Sequence, residues 1–337
     1  MKISKNSLGF IISYDFLPPS LCNDLIKVLA DSGSFTHVFV PELWGYDAFT
    51  QITGMIPHAP NLTFGTGIVN LYSRTPATLA QTAAALDTLT EGKFILGLGL
   101  SGPIVIQDWH GVSYFKHSPL GRTREYIEIL RLIFSGEPVN YNGQIFKLKR
   151  FKIRTFATPL DIPLWVAALG PKNLALVGEL ADGWFPIWAP IGGFKFLTED
   201  LAKGYANRSP DLGKQVEIAP FLITCAYEGD RAKLLVQKNI AYYVGGMGEF
   251  YYNFAKRMGF TSEAEKIRSA WKMGEREAAA KAVSQEMLDK IAALGSAEKI
   301  QQRYQEFRAE GVTLPICTLP YNCPPDLALE TIRAFSG

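Results

Sequence analysis

The sequence has few cysteines, and their arrangement marks neither a cross-linked nor a metal-bound fold. The four thiols are spread along the chain, without a CxxC pair and without histidine at the spacing of a metal ligand: Cys22, Cys225, Cys317 and Cys323. We therefore expect neither a disulfide framework nor a metal site. Scattered free thiols favour a reducing compartment, by default the cytoplasm.

A strong charge of either sign is also missing. Lys and Arg number 34 against 32 Asp and Glu, a formal net charge of +2, and no basic run stands out. Nucleic acid is therefore not an expected partner. No apolar run has the length of a membrane span, so we expect no membrane segment. The apolar residues 8–12 are too short for a signal peptide, and Asp15 follows them closely.

What the chain does contain is an alternation of short apolar runs and helical patterns. Eight runs are typical of strands: residues 8–14, 36–40, 62–69, 93–100, 164–168, 183–187, 216–225 and 312–319. Strand and helix in alternation predict a parallel sheet, and right-handed crossovers would close eight such units into a barrel. The predicted fold class is therefore α/β, a (β/α)8 TIM barrel with insertions.

Three segments interrupt the alternation. The expected insertions lie at about residues 101–122, 137–163 and 231–294. The first is predicted to be a long loop, followed by a helix over residues 123–135 that Thr123 caps. The second contains a hairpin turn at residues 141–144. The third is mainly helical, and its residues 242–253, rich in aromatics and glycine, could cover a barrel mouth or equally face a core. A single domain over residues 1–337 accounts for all of them.

Residues 91–103, EGKFILGLGLSGP, are predicted to form a turn, a fully buried parallel strand and a loop of small residues. Gly97 and Gly99 remove side chains from one face of that strand. Two interpretations stay open here. A flat ligand could lie against the face, or the glycines could relieve crowding inside a barrel.

Polar and aromatic side chains follow other predicted strands, where a barrel places its chemistry. Glu42 and Trp44 come directly after the second strand. Glu42 could instead be an ion-paired or helix-capping carboxylate, and Trp44 a packing aromatic. Gly170 and Pro171 begin a helix after the fifth strand, and with Lys172 they form a natural phosphate seat. The alternative for them is a well-capped surface helix.

Six segments, in collinear order over nearly the whole chain, resemble the luciferase-like monooxygenase superfamily. They are PELWGYDAFT at 41–50, the stretch from GTGIVN to LGLSGP at 65–103, WHG at 109–111, RTREY at 122–126, GPKNLALVGELADGW at 170–184 and YYVGGMGEFYYN at 242–253. They look closest to the branch that uses the deazaflavin coenzyme F420, as in methylenetetrahydromethanopterin reductase-like enzymes.

The resemblance implies a TIM-like barrel, usually a homodimer, that binds a flavin or deazaflavin at its carboxyl-terminal mouth. Carried over by position, the implied cofactor-binding residues are Gly67, Ile68 and Asn70, then Leu100, Ser101 and Gly102, then Ala168, Leu169, Gly170, Pro171, Lys172 and Asn173. The first three are similar to a strand bulge in which the family often carries a non-prolyl cis peptide against the ring. Such a bond is strained and would mark function.

At two positions this sequence differs from the sugar-phosphate dehydrogenases of this branch. Those enzymes carry a histidine at the position of Leu43 and a glutamate at the position of Gly102, so we do not expect sugar-phosphate dehydrogenase activity. Glu42 is then the best acid or base, with Trp44 beside the ring. His110 is a weaker catalytic candidate from the long loop, and it and Tyr114 could simply hold that loop in place.

The predicted function is an F420-dependent oxidoreductase that transfers a hydride between a deazaflavin and a small organic substrate. An FMN-dependent monooxygenase is the alternative. A flavin-binding protein without catalysis, or a phosphate-binding isomerase or lyase, ranks below both. The aromatic residues expected at the mouth suggest an apolar or planar substrate.

Overall fold

The structure is a computed structural model that describes residues 3–155, 159–227 and 229–335. The strands are β1 Leu8–Ile11, β2 Phe35–Val40, β3 Thr63–Thr66, β4 Val69–Asn70, β5 Phe94–Gly99, β6 Val139–Asn142, β7 Lys147–Phe151, β8 Leu164–Ala167, β9 Gly183–Phe185, β10 Glu217–Ile218, β11 Phe221–Cys225, β12 Ala292–Leu294 and β13 Ile316–Thr318. The helices are α1 Pro19–Asp31, α2 Ala48–Met55, α3 Pro76–Leu89, α4 Pro119–Phe134, α5 Pro171–Leu180, α6 Lys195–Ala202, α7 Asp230–Gly246, α8 Glu249–Arg257, α9 Thr261–Lys272, α10 Arg276–Lys281, α11 Gln285–Ile291, α12 Ala297–Ala309 and α13 Pro325–Arg333. A π-helical segment, Ile104–Trp109, and short 3-10 turns complete the description.

The strands close into a parallel barrel of eight places. In order these are β1, β2, β3 with β4, β5, β8, β9, β10 with β11, and β13, and β13 pairs with β1. A bridge between Ile187 and Phe221 joins the sixth place to the seventh. β12 pairs with the end of β11, and β6 and β7 form a separate antiparallel hairpin. The predicted TIM barrel is confirmed. The hairpin is present, with its turn at residues 143–146 rather than at the predicted 141–144.

Two layers of side chains hold the barrel together, because successive residues of a strand face opposite sides of the sheet. The interior is filled by Ile11, Phe39, Ile95, Trp165, Phe185, Ala219, Leu314 and Ile316. The other face of each strand packs against the helices, as Val38 and Leu96 do in a larger cluster. Full burial of a large apolar side chain stabilises the fold by about 2 kcal/mol, so both layers contribute strongly.

A bulge breaks the ladder between the third and fourth places. β3 and β5 pair up to Gly65, and pairing resumes only where β4 meets the end of β5. Between them the Thr66 hydroxyl both accepts from the Gly97 N–H and donates to the Gly97 carbonyl, each at 2.8 Å. A Cβ on Gly97 would lie 1.9 Å from the Thr66 carbonyl oxygen, and one on Gly99 would lie 2.8 Å from Ile68 Cδ1. The glycines therefore make room for the bulge, and the crowding interpretation holds for both.

Most of the strands are shorter than their predicted apolar runs, β1 for example ending at Ile11 rather than at residue 14, and three of the predicted strands are interrupted. The third is interrupted by the bulge at residues 67–68. The seventh is divided at Pro220, which has no N–H for the ladder: β10 pairs with β9, and β11 pairs with β13 while Phe221 keeps a bridge to Ile187. The eighth begins at Ile316 rather than at residue 312, because Pro315 interrupts it in the same way.

The helix after the first insertion begins earlier than the sequence predicts. Its N-cap is Ser118, whose side chain accepts from the Gly121 N–H, and Pro119 opens the helix. Thr123 is not a cap: it is buried in the first turns, and its hydroxyl donates to the Pro119 carbonyl. The predicted loop is also partly helical, at Ile104–Trp109. Of the second insertion, residues 156–158 lie outside the described residues.

The aromatic, glycine-rich stretch of the third insertion spans α7 and α8 and reaches the carboxyl-terminal rim of the barrel. Tyr243 and Tyr251 contact Trp188, which follows β9. Trp271 of α9 packs on Gly245 and Gly246, where an added Cβ would lie 2.6 and 2.9 Å from the indole. Both interpretations apply to parts of the stretch, because it reaches the mouth and its Val244 is fully buried in the core.

We predict that Gly97→Ala strongly destabilises the protein. The new Cβ would overlap the Thr66 carbonyl oxygen, a backbone atom that cannot move without breaking the bulge, so we expect a loss of about 3 kcal/mol or a failure to fold. Gly193→Ala is the matched control, because its Cβ would meet nothing closer than 3.7 Å. Chemical denaturation measures both. Equal unfolding free energies for the two variants would contradict this role for Gly97.

The barrel interior also contains an uncharged histidine. The His37 ring stacks on Phe39 with centroids 6.2 Å apart. Its Nδ1 lies 2.7 Å from the Thr36 hydroxyl, while Nε2 has no hydrogen-bond partner among the described residues. Burial lowers the pKa of His37 to about 4, against an ordinary 6.5. Its neutral form is therefore the one that the folded protein contains near neutral pH.

This depressed pKa predicts a stability loss in acid. In the unfolded chain His37 becomes protonated below about pH 6.5, whereas in the folded protein it stays neutral down to about pH 4. The resulting loss between these values is at most about 3 kcal/mol. Urea unfolding across this range should therefore show a shallower pH dependence for His37→Asn than for the native protein. His110→Asn, at an exposed imidazole, serves as the control, and a slope unchanged in His37→Asn would refute the assignment.

Candidate active site

The candidate residues lie on the carboxyl-terminal rim of the barrel, after the second to fifth strand places. Gly67 and Ile68 form the bulge, and Glu42 and Trp44 follow β2 beside it. A backbone hydrogen bond joins these two segments, because the Glu42 N–H donates to the Ile68 carbonyl at 3.1 Å. The loops after β5 and β8 come next in the sheet order. The rim therefore brings together segments that are far apart in the sequence.

Glu42 is ion-paired. Both of its carboxylate oxygens accept from Arg74, each at 2.7 Å, and the Glu42 and Arg74 side chains are only 11% and 20% exposed. Arg74 also pairs with Asp47. Asp47 caps α2 through Thr50. Burial alone would raise the pKa of Asp47, but hydrogen bonds from Thr50 and the Arg74 charge hold it below its usual value.

A cleft of about 340 Å³ brings the three candidate catalytic residues together. Its lining comprises Glu42, Leu43, Trp44, Gly45, Tyr46, Asp47, Ser73, Arg74 and His110. Trp44 is exposed and packs edge-to-face against Trp109, with ring centroids 4.9 Å apart. His110 is exposed at the end of the π-helical segment. The cleft thus combines a fixed carboxylate, an imidazole and an open aromatic wall.

The loops after β4 and β5 form the next part of the rim. Ile68 packs partly buried at the top of the interior core. The Asn70 side chain accepts from the backbone of Tyr72 and Ser73, so it shapes the loop. Ser101 has a left-handed backbone, φ +60°, which costs a non-glycine residue energy and is typical of functional loops. An added Cβ on Gly102 would meet no atom within 4 Å, so this position faces open space.

Aromatic contacts hold the long loop after β5. Tyr114 stacks on Tyr72 with centroids 5.0 Å apart, and its hydroxyl donates to the Ser101 carbonyl at 3.4 Å. Tyr72 in turn donates to the Tyr114 carbonyl at 3.2 Å. Burial raises the pKa of Tyr114, which keeps its hydroxyl protonated. The predicted loop-holding role is confirmed for Tyr114.

The amino terminus of α5 is an open, positive corner. Its N-cap Gly170 makes no side-chain capping bond, and a Cβ there would meet no atom within 4 Å. Lys172 is exposed in the first turn, and Asn173 Oδ1 is buried without a partner among the described residues. Arg257 of α8 donates to the Leu169 carbonyl at 2.6 Å, and its charge is paired with Asp200 at 2.9 Å. Ala168 binds the Trp184 indole through its carbonyl at 3.0 Å.

The sequence alone missed three contributors to this rim. Arg74 and Trp109 stand in loops that were predicted, but only the fold shows that they face Glu42 and Trp44. Arg257 comes from a helix of the third insertion, so no local pattern connects it with α5. A carboxylate that is buried requires a nearby cation, so the possible ion pair of Glu42 was the only sequence signal that pointed to Arg74.

A second surface depression, of about 460 Å³, lies along the carboxyl-terminal half of α3. Helices of a barrel run opposite to its strands, so this site is near the amino-terminal end and away from the candidate residues. In the described ranges no helix combines the length and the apolar character that crossing a bilayer requires. Nor does that part of the chain group three or more metal-ligating His, Cys, Asp or Glu side chains.

Comparisons with known proteins match most of the chain. The model of the luciferase-like monooxygenase family covers residues 26–314. A Mycobacterium tuberculosis protein, provisionally named as a coenzyme F420-dependent oxidoreductase, is 33% identical over 89% of this chain and 91% of its own. The 5,10-methylenetetrahydromethanopterin reductase of Archaeoglobus fulgidus is 26% identical over 88% of each chain. The solved structure of a coenzyme F420-dependent tetrahydromethanopterin reductase from Methanopyrus kandleri superposes with a TM-score of 0.82 at 23% identity, covering 98% of this chain and 100% of its own.

We predict that Arg74→Gln destabilises the protein by about 2 kcal/mol, because it leaves the poorly exposed Glu42 carboxylate without its cation. Arg231→Gln is the control, since Arg231 and its partner Asp326 are 55% and 69% exposed and such pairs contribute little. Denaturant unfolding compares the two. If both variants lose the same small amount, the Glu42–Arg74 pair is not a structural centre of the cleft.

Proposed function

Because this chain belongs to the luciferase-like monooxygenase family, we propose that it is an oxidoreductase that transfers a hydride between coenzyme F420 and a small organic substrate. The observation that carries the proposal is the meeting of three open loops, after β4, β5 and β8, at neighbouring places of one barrel rim. Barrel enzymes bind ligands at this rim. The names of the relatives support the choice of cofactor.

The residues of the rim fit such a cofactor. Ile68 on the bulge offers an apolar support for the rear of a flat ring. Gly102 leaves open space beside the ring edge, and Gly170 does so above α5. The free amino terminus of α5, with Lys172 beside it, suits a phosphate group. When bound, the deazaflavin supplies a carbon that carries hydride where a flavin has N5, and so favours hydride transfer over reaction with oxygen.

The remaining proposed cofactor contacts follow the same three loops. They are Gly67 and Asn70, Leu100 and Ser101, and Ala168, Leu169, Pro171 and Asn173. These residues are proposed to position the ring and its phosphate through their backbone groups. The buried Asn70 side chain accepts from the Tyr72 N–H and so holds the turn that follows it. Arg257, whose charge is paired with Asp200, is proposed to hold the Leu169 backbone in place beside the phosphate seat.

On the substrate side, the cleft supplies the protein's own chemistry. Arg74 holds the Glu42 carboxylate in a fixed position through both oxygens. Glu42 is proposed as the acid or base of the cleft. His110 is the second proton-transfer candidate, on the open side of the cleft. Trp44, held by Trp109, is proposed to close the cleft against water.

We also propose that the protein is a cytoplasmic homodimer whose subunit is a single domain over residues 1–337. The four cysteines are free, in keeping with a reducing compartment. Of the insertions at about residues 101–122, 137–163 and 231–294, the first and third are proposed to enlarge the mouth, because each follows a strand of the barrel. Light scattering coupled to size-exclusion chromatography would measure the oligomer.

The first test is an anaerobic titration with coenzyme F420 and with FMN, each oxidised and reduced, followed by absorbance and fluorescence. We expect the deazaflavin to bind and FMN to bind at least tenfold more weakly. A preference for reduced FMN would replace the proposal with an FMN-dependent monooxygenase. If neither ligand binds, the proposed function fails.

Lys172→Ala locates the phosphate seat in the same titration. Loss of an exposed cation beside a phosphate should weaken deazaflavin binding about threefold to tenfold and reduce its salt dependence. Lys195→Ala is the control, because Lys195 is an exposed lysine of α6 whose nearest acid is Glu199. If both variants bind the deazaflavin with equal affinity, the proposal that its phosphate binds at the amino terminus of α5 is wrong.

A further inference from the structure

A chain of aromatic rings lines the half of the rim that the cofactor residues leave free. Its members touch in sequence: Phe16 and Tyr321 at 5.3 Å, Tyr321 and Tyr242 at 6.2 Å, Tyr242 and Tyr243 at 5.6 Å, Tyr243 and Tyr251 at 4.8 Å, and Trp188 with Tyr243 and Tyr251 at 5.9 and 5.8 Å between centroids. We name these six residues the aromatic arc.

The barrel order places the arc across the mouth from the cofactor loops. Trp188 follows β9, Tyr321 follows β13 and Phe16 follows β1, which are the sixth, eighth and first places. The proposed cofactor residues follow the third, fourth and fifth. The helices α7 and α8 supply the other tyrosines. A substrate held by the arc would therefore face the cofactor half.

Unpaired polar atoms distinguish the arc from an ordinary core. Trp188 is fully buried, yet its indole N–H has no hydrogen-bond partner among the described residues. Its backbone is left-handed, φ +51°, a conformation that strains a bulky residue. Thr318 lies two residues after the interior Ile316 and so points to the same side at the mouth, and its buried hydroxyl is also unpaired in that part of the structure. Buried polar groups without partners are rare and call for an explanation.

The tyrosines of the arc border a space that water reaches. Tyr242, Tyr243 and Tyr251 are each partly exposed, although burial raises the pKa of all three, to about 12 for Tyr251. Of these partly exposed rings, Tyr243 and Tyr251 lie beside the buried Trp188, so the arc presents aromatic faces at its surface next to an indole N–H. The three phenols stay protonated near neutral pH and contribute no charge to the arc.

We propose that the aromatic arc is the substrate-recognition site and binds an uncharged, planar ring compound through a carbonyl oxygen that accepts from the Trp188 indole N–H. This inference rests on the proposed function in one respect: the ligand of the arc is a substrate only if the protein is the proposed oxidoreductase. Aromatic faces favour a flat ring packed against them. An ionised ligand would lose its hydration without gaining a counter-charge, and a hydrocarbon would leave the indole N–H unpaired.

The test compares two probes of similar shape in cofactor-free protein. 2-Acetylnaphthalene carries the carbonyl oxygen, and 2-isopropenylnaphthalene replaces it by a methylene group. Dissociation constants come from naphthalene fluorescence, with 2-naphthoate as the charged comparison. We expect the native protein to prefer the ketone about fivefold, the effect of one net hydrogen bond, and to bind the naphthoate more weakly than either.

Trp188→Phe should remove the preference for the ketone while keeping the aromatic site. Trp184→Phe is the matched control, because Trp184 is another fully buried indole near β9, with its N–H already bonded to the Ala168 carbonyl. It should retain the fivefold ratio. Thr318→Val tests the second unpaired group without changing side-chain volume, and circular dichroism confirms that each variant is folded.

The outcomes separate this inference from the proposed function. Equal binding of both neutral probes to the native protein, or an unchanged ratio in Trp188→Phe, overturns the recognition site even if the deazaflavin binds. A ratio that depends on Trp188 supports the recognition site even if the cofactor titration fails. Tighter binding of the naphthoate would overturn the neutral ligand class.

Discussion

The interruption of the sheet between β3 and β5 is the constraint on which the candidate site depends. A continuous ladder would run from Gly65 to the strand end and leave no irregular backbone at the rim. The Thr66 hydroxyl instead takes the place of one backbone pair, satisfying both the N–H and the carbonyl of Gly97. Because these groups are buried, leaving them unpaired would cost about 1 to 3 kcal/mol each. The Thr66 side chain therefore offsets the energetic cost of the bulge, and Ile68 lies at the mouth as a result.

That bulge also fixes the position of the acidic cleft. The Gly67 N–H donates to the Val40 carbonyl and the Glu42 N–H to the Ile68 carbonyl, so the end of β2 follows the bulge residue by residue. Arg74, from the loop that leaves β4, then reaches back to the Glu42 carboxylate. Ile68 and the Glu42 carboxylate are thus positioned by one local geometry, although they belong to two different loops.

The sequence predicts the barrel well because its signal is periodic and summed over many residues. The apolar runs and the alternation with helices point to one fold class, and the start of α5 at Pro171 is correct because proline and glycine have fixed backbone preferences. The breaks were missed. Pro220 and Pro315 each interrupt an apolar run, and an apolar pattern cannot show where a ladder changes partner. Thr123 was a plausible cap, but Ser118 followed by Pro119 is the stronger signal.

The site is less predictable than the fold, for a physical reason that the aromatic arc illustrates. Each of its residues is apolar enough to read as core, and burial would explain any one of them. What distinguishes Trp188 is an unpaired N–H and a left-handed backbone, and both are properties of the folded chain. Candidate sites at this rim are therefore recognised by unpaired polar groups rather than by a motif. The same reasoning applies to Asn173 at α5, so each half of the mouth contains a buried polar group without a hydrogen-bond partner in the described ranges.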